Sequence, residues 1–137
     1  MGRLVFIVDD DVDDREFFCD ALREIDESIQ CVCAGNGSEA IALLSEPQFT
    51  LPDFIFLDLN MPRLGGKQCL SLIKNNHRLS HIPVIIFSTT RQYDEAEEAR
   101  QLGAAVFLTK PSTYSELKQS LSWILSGSFL QNNNKIA

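Results

Sequence analysis

Val5-Phe6-Ile7-Val8-Asp9-Asp10-Asp11-Val12-Asp13-Asp14 couples an unbroken apolar run to five aspartates in six residues. The apolar half is rich in β-branched and aromatic side chains, which reads as a short strand buried on both faces. The acidic half reads as a turn and the start of a helix, where carboxylates cap free N–H groups and suit the helix dipole. Capping alone does not call for five of them. They supply most of the net charge of −7, so the acidity is local and asks for a local reason.

Working outward, Phe54-Ile55-Phe56-Leu57, Val84-Ile85-Ile86-Phe87 and Val106-Phe107-Leu108 have the character of the first run. The stretch from Ile29 to Ala34 admits Gln30 and reads as an edge strand. Between these runs the apolar residues take helical spacing. Phe17, Phe18, Ala21, Leu22 and Ile25 share one face, as do Leu117, Leu121, Ile124 and Leu125; Ile41 with Leu44, Leu70 with Ile73 and Ala99 with Leu102 are weaker copies. Asn36-Gly37-Ser38 opens the second helix and Gly65-Gly66 precedes the third. Strand and helix alternate five times without repeat or linker. The order predicts an α/β domain, a parallel sheet with helices on both faces and right-handed crossovers. The domain is expected over residues 1–126. Residues 127–137 read as a polar tail that frays, leaving no room for a DNA-binding or catalytic output domain.

A chain of 137 residues suits one domain with its own core, and its 45% apolar and 23% charged residues are those of an ordinary globular protein. The acidic balance disfavours nucleic acid as a partner. No apolar run could span a bilayer and no signal pattern opens the chain, so no membrane role and a cytoplasmic location are expected. Cys19, Cys31, Cys33 and Cys69 fall in apolar patterns, which suits reduced core thiols better than disulfides. Cys31-Val32-Cys33 looks like half a metal site, but without a second half it reads as structural. His77 and His81 have helical spacing, yet Ser80 and Pro83 suggest the helix ends between them, and no metal role is expected.

In a parallel sheet the carboxyl ends of all strands lie along one edge, where ligands bind. The first strand ends in Asp9-Asp10, the third in Asp58, the fourth in Ser88 and the fifth in Lys110. Topology alone brings these groups together. Clustered carboxylates repel, and a hard divalent cation such as Mg²⁺ relieves that repulsion. Lys110 adds a positive charge and Ser88 a hydroxyl. A carboxylate in that setting can attack phosphorus and form an acyl phosphate. Each residue also has a plainer role: Asp9 to Asp14 as a solvated cap, Asp58 as a turn acid, Ser88 as a helix cap, Lys110 as a surface lysine. Four such residues at successive strand ends are much harder to obtain by chance.

The strand-Asp9-Asp10, strand-Asp58-Leu59-Asn60-Met61-Pro62, strand-Ser88 and Phe107-Leu108-Thr109-Lys110-Pro111 segments resemble the receiver domain of bacterial two-component response regulators over about residues 3 to 126. The resemblance implies a doubly wound, flavodoxin-like or CheY-like sheet of order 2-1-3-4-5. It implies a stand-alone response regulator, a phosphorelay switch and not an enzyme on a diffusible substrate, with self-phosphorylation and dephosphorylation its sole chemistry. A sensor histidine kinase or histidine phosphotransfer protein would deliver the phosphoryl group to Asp58, and a downstream protein would read the result. Mg²⁺ would be held by Asp10, Asp58 and the backbone carbonyl of Asn60, with Asp9 acting through water. Ser88, the Thr89 backbone and Lys110 would bind the phosphoryl group, and Ser88 and Phe107 would form the switch. The Lys110–Pro111 bond would be cis. The face of the fourth and fifth helices and last strand would be the contact surface, including for any homodimer.

Two departures stand out. Phe107 has no hydroxyl, so no readout through a tyrosine OH is expected at this position. Thr89 stands where the family mostly has Ala or Gly, and its bulk could shield the acyl phosphate from water. Two other functions compete. Hydrolases that use an aspartyl phosphate usually place a second aspartate two residues after the nucleophile, and here that residue is Asn60. A receiver that works without phosphorylation usually lacks an acid or the lysine, and here none is missing.

Overall fold

The computed structural model describes residues 3–89 and 92–130. Strands β1 (Leu4–Val8), β2 (Gln30–Ala34), β3 (Phe54–Leu57), β4 (Val84–Ser88) and β5 (Val106–Thr109) alternate with helices α1 (Val12–Ile25), α2 (Gly37–Ser45), α3 (Gly66–Lys74), α4 (Tyr93–Gln101) and α5 (Tyr114–Leu125). The strands form one sheet in the order β2-β1-β3-β4-β5, parallel at every pairing. The expected α/β architecture and strand order are both present.

Alternation along the strands divides the core into two layers, because successive side chains point to opposite faces. Val5 and Ile7 of β1 join Phe18 and Leu22 of α1 and Leu121 and Ile124 of α5. Phe6 and Val8 face the other way, toward Leu44 of α2, Leu70 and Ile73 of α3 and Ala99 of α4. The rings of Phe18, Phe56 and Phe87 meet edge-on, with Phe18 and Phe56 centroids 4.7 Å apart. Every residue of β1, β3 and β4 is buried. β5 is an edge strand, so Phe107 and Leu108 are only half-buried, and the continuous apolar run overstated their burial.

The capping signals act as read. The Asn36 side chain accepts from the Glu39 N–H at 2.8 Å to open α2, and Asp11 accepts from the Asp14 N–H at 3.1 Å to open α1. Helix α3 stops at Lys74, before both His77 and His81 and not between them.

Two expectations are overturned. The tail does not fray from residue 127: Ser128–Leu130 make a short 3₁₀ turn, and Phe129 is 4% exposed against Trp123 and Phe54. A single large ring buried in the α5 side of the core outweighs the polar composition around it. Residues 131–137, the remainder of the expected tail, lie outside the described residues. Nor are all four thiols free: Cys19 of α1 is disulfide-bonded to Cys31 of β2 with a Cα–Cα separation of 5.9 Å, while Cys33 and Cys69 are free. The packing of α1 beside β2 brings residues 12 apart in sequence within bridging reach, and that distance was not readable before the fold. Among the described residues no helix is long and apolar enough to cross a membrane.

Candidate functional site

Parallel pairing carries the chain to one sheet edge with the ladder still intact. The Asp9 N–H donates to the Ala34 carbonyl, the Asp58 N–H to Val8 and the Lys110 N–H to Ser88, each at 2.8–3.0 Å. These bonds hold the residue after each strand in register, so its side chain stands above the edge. Asp9, Asp10, Asp58 and Lys110 are brought together there, as the topology predicts.

Each carboxylate is differently held. Asp9 is fully buried: Oδ1 accepts from the Asp11 N–H at 3.0 Å and Oδ2 from Lys110 Nζ at 2.7 Å. Arg15 donates to the Asp9 carbonyl at 2.7 Å and ties α1 to the end of β1. Asp58 is 7% exposed; Oδ1 accepts from the Asn60 N–H at 3.2 Å and Oδ2 lies 3.4 Å from Lys110 Nζ. Asp10 is exposed, yet one carboxylate oxygen from each of Asp9, Asp10 and Asp58 lies within 4.8 Å of the others.

The electrostatics follow from this burial. Desolvation raises the Asp58 carboxyl above the usual aspartate range and the charge of Asp9 adds to it, while Lys110 and the Asn60 N–H oppose without cancelling. Burial pulls Lys110 down, but hydrogen bonds to Asp14 and Asp9 and the charges of Asp58 and Asp9 outweigh it, so its pKa is raised overall. Lys110 is therefore a permanent cation in an acidic pocket. The clustered oxygen donors fit a hard divalent cation, which prefers carboxylate and carbonyl ligands.

Ser88 is fully buried at the end of β4, and Thr89 beside it is exposed. Phe107 is half-buried against the α2–α4 side of the core, beside a small cavity lined by Ala96, Arg100 and Ala104. The Lys110–Pro111 bond is trans, contrary to expectation; among the described residues no peptide bond is cis. Trans is favoured by about 0.5–1 kcal/mol even before proline, and Lys110 reaches the acids in that form.

Asp14 is the residue that sequence reasoning missed. Its position suits a helix cap, but its Oδ2 accepts from Lys110 Nζ at 2.8 Å. Its place in the first turn of α1 points it back over the sheet edge, whereas Asp13 beside it is exposed. Nothing in the run of aspartates distinguishes the two.

The third helix starts with a glycine for a reason tied to Asp58. A Cβ on Gly66 would lie 2.5 Å from the Asp58 carbonyl oxygen and from the Leu59 Cα, both backbone atoms that cannot swing aside. Gly66→Ala is expected to lower stability by about 1–3 kcal/mol, the range for overpacking. Urea denaturation checks this, and an unchanged midpoint would show that the loop after β3 yields.

The family model described as "Response regulator receiver domain" matches residues 5–122. The chain belongs to that family. It is 33% identical over 116 residues to Protein PilG of Pseudomonas aeruginosa, covering 85% of this chain and 82% of PilG. The crystal structure of the phosphorylated cyanobacterial phytochrome response regulator RcpA superposes with a TM-score of 0.83 at 30% identity, covering 90% of this chain and 91% of RcpA. The Mn²⁺-bound form of response regulator Rcp1 gives 0.80 at 26% identity, covering 91% and 93%. A protein-glutamate methylesterase/protein-glutamine glutaminase of Syntrophomonas wolfei is 39% identical over 110 residues, and there the match spans 79% of this chain but only 30% of the relative.

Proposed function

We propose that Asp58 is the phosphoryl acceptor of a two-component switch, served by a divalent cation held at Asp9, Asp10 and Asp58. The observation that carries this reading is the convergence of three carboxylates and Lys110 at the ends of β1, β3 and β5. An Asp58 oxygen attacks the phosphorus of a phosphohistidine; the P–N bond breaks, its electron pair returns to the imidazole, and the imidazole takes a proton from solvent. Lys110 pairs with the phosphoryl oxygens, and the Ser88 hydroxyl and Thr89 N–H donate to them. Water later attacks phosphorus and restores the carboxylate. Mg²⁺, directly on Asp10, Asp58 and the Asn60 carbonyl and through water on Asp9, would supply charge neutralisation for the incoming group.

The donor is a sensor histidine kinase or histidine phosphotransfer protein, and the setting is the cytoplasm. Output passes through the surface of α4, β5 and α5, where inward movement of Phe107 into the space beneath α4 would follow a shift of Ser88 toward the phosphate. A receiver of this kind turns over no diffusible substrate of its own. The test is Mg²⁺-dependent incorporation of phosphoryl groups from a small acyl-phosphate donor. Incorporation that chelator abolishes is expected; none with Mg²⁺ present would refute the reading.

Thr89 sets the lifetime of that product. Its exposed branched side chain follows Ser88 in the chain, where its bulk would hinder water approaching the acyl phosphate. Thr89→Ala is expected to speed dephosphorylation several-fold, on the order of 1 kcal/mol in barrier, measured as decay of the labelled protein. Equal decay rates in the two proteins would remove Thr89 from the account.

A further inference from the structure

Away from the phosphorylation site, α1 and β2 bring three sulfurs together. Cys31 and Cys33 are two apart on one strand and so share a face of β2, and Cys19 of α1 faces them both. Cys19 Sγ is bonded to Cys31 Sγ and lies 3.8 Å from Cys33 Sγ. One sulfur from each lies within 4.8 Å of the others. They lie on an open cleft lined also by Val12, Arg15, Glu16, Asp20 and Arg23. The Cys31-Val32-Cys33 motif, read as half a metal site without its second half, finds a further ligand in Cys19.

We propose that the reduced cysteines Cys19, Cys31 and Cys33 form a thiolate site for a zinc-class divalent cation, which the Cys19–Cys31 disulfide closes. The spacing fits: in a tetrahedron with Zn–S bonds of about 2.3 Å, the sulfurs lie about 3.8 Å apart, the separation already seen between Cys19 and Cys33. Three protein ligands leave the fourth position open to the cleft, where water can fill it. Three thiolates on a dication leave one negative charge, in a cleft whose walls set Arg15 and Arg23 against Glu16 and Asp20, Arg23 lying 3.5 Å from Asp20.

The two forms interconvert with atoms and electrons balanced. A dithiol reductant passes two electrons and two protons to the disulfide, giving Cys19 and Cys31 thiols while its own sulfurs become a disulfide. Cation binding then releases one proton from each of the three thiols. Cys69 takes no part, since it is buried in the opposite core layer, away from the cleft.

The test titrates fully reduced protein with Zn²⁺ in the absence of oxygen, with excess Mg²⁺ present to occupy the acidic site. The readout is protection of thiols from a soluble alkylating reagent, counted by mass spectrometry. Protection of Cys19, Cys31 and Cys33 at micromolar zinc is expected, reversed by chelator; after reoxidation Cys19 and Cys31 are held in the disulfide, and Cys33 should react whether or not zinc is present. Cys33→Ser and Cys31→Ser should each weaken zinc binding about 10-fold or more, the scale on which even supporting residues act. Circular dichroism and phosphoryl labelling confirm that each variant is folded. Unprotected thiols in the reduced protein would overturn the proposal, as would protection that survives both substitutions. The readout is independent of Asp58, so its failure leaves the phosphorylation reading standing.

Discussion

Asp58→Asn is expected to bring phosphoryl incorporation from a small acyl-phosphate donor down to background while the protein stays folded. An amide oxygen is a poor nucleophile toward phosphorus and forms no acyl phosphate, whereas the substitution keeps the shape of the side chain. Asp9 and Asp10 remain as carboxylates, so labelling that persists would move the acceptor to one of them. The same variant has a stability signature. Burial raises the folded-state pKa of Asp58 above its unfolded value. Between the two values the folded protein holds the proton more often, so stability falls as pH rises through that window and stays lowered above it. Asn carries no such charge. In chelator at neutral pH the variant is therefore expected to melt above the wild type, with the gap closing on acidification. Added Mg²⁺ narrows it from the other side, because it binds the folded wild type more tightly than a site that has lost one carboxylate. A variant no more stable than wild type in chelator would show that Lys110 already neutralises Asp58 fully.

Much of this arrangement was legible from Val5 to Asp14 outward, for a physical reason. Strands buried on both faces leave unbroken apolar runs, and parallel topology sends the residue after each run to a common edge. Asp9, Asp10, Asp58 and Lys110 could therefore be placed together from spacing. What stayed hidden depends on contacts between elements. Asp14 differs from Asp13 only in which way the first turn of α1 faces. Cys19 joins Cys31 and Cys33 only once α1 lies beside β2. Phe129 is anchored by Trp123 and Phe54, the latter a strand residue far earlier in the chain. Periodicity reports which face of an element is apolar. It does not report which neighbour covers that face, nor whether a lone aromatic in a polar tail finds a place.

Lys110→Met is expected to produce the largest loss of stability of any single change at the site, and one that a divalent cation repairs. Met keeps an unbranched stem of similar length, so packing beside Phe87, whose ring centre lies 5.7 Å from Nζ, is largely retained. What disappears is the charge that Asp9 holds at 2.7 Å and Asp14 at 2.8 Å, with Asp58 at 3.4 Å. The side chains of Lys110, Asp9 and Asp58 are 12%, 1% and 9% exposed, so solvent does little to compensate. Removing one partner of a buried ion pair costs about 3–5 kcal/mol, because the other charge stays buried without its counterion. That loss should appear in chelator as a lower urea midpoint and shrink as acid neutralises the carboxylates. It should also shrink on titration with Mg²⁺. Linkage then requires the converse: if the cation stabilises the variant more than the wild type, the variant binds the cation more tightly by the same free energy. Calorimetric titration measures this directly. A variant with unchanged cation affinity would mean that Lys110 and the cation do not share the same carboxylates, and the site would have to be drawn differently. Tighter cation binding with impaired phosphoryl retention would separate two roles for Lys110. Its charge would hold the apo site together, and the same charge would be released to the phosphoryl group once a cation takes over the aspartates.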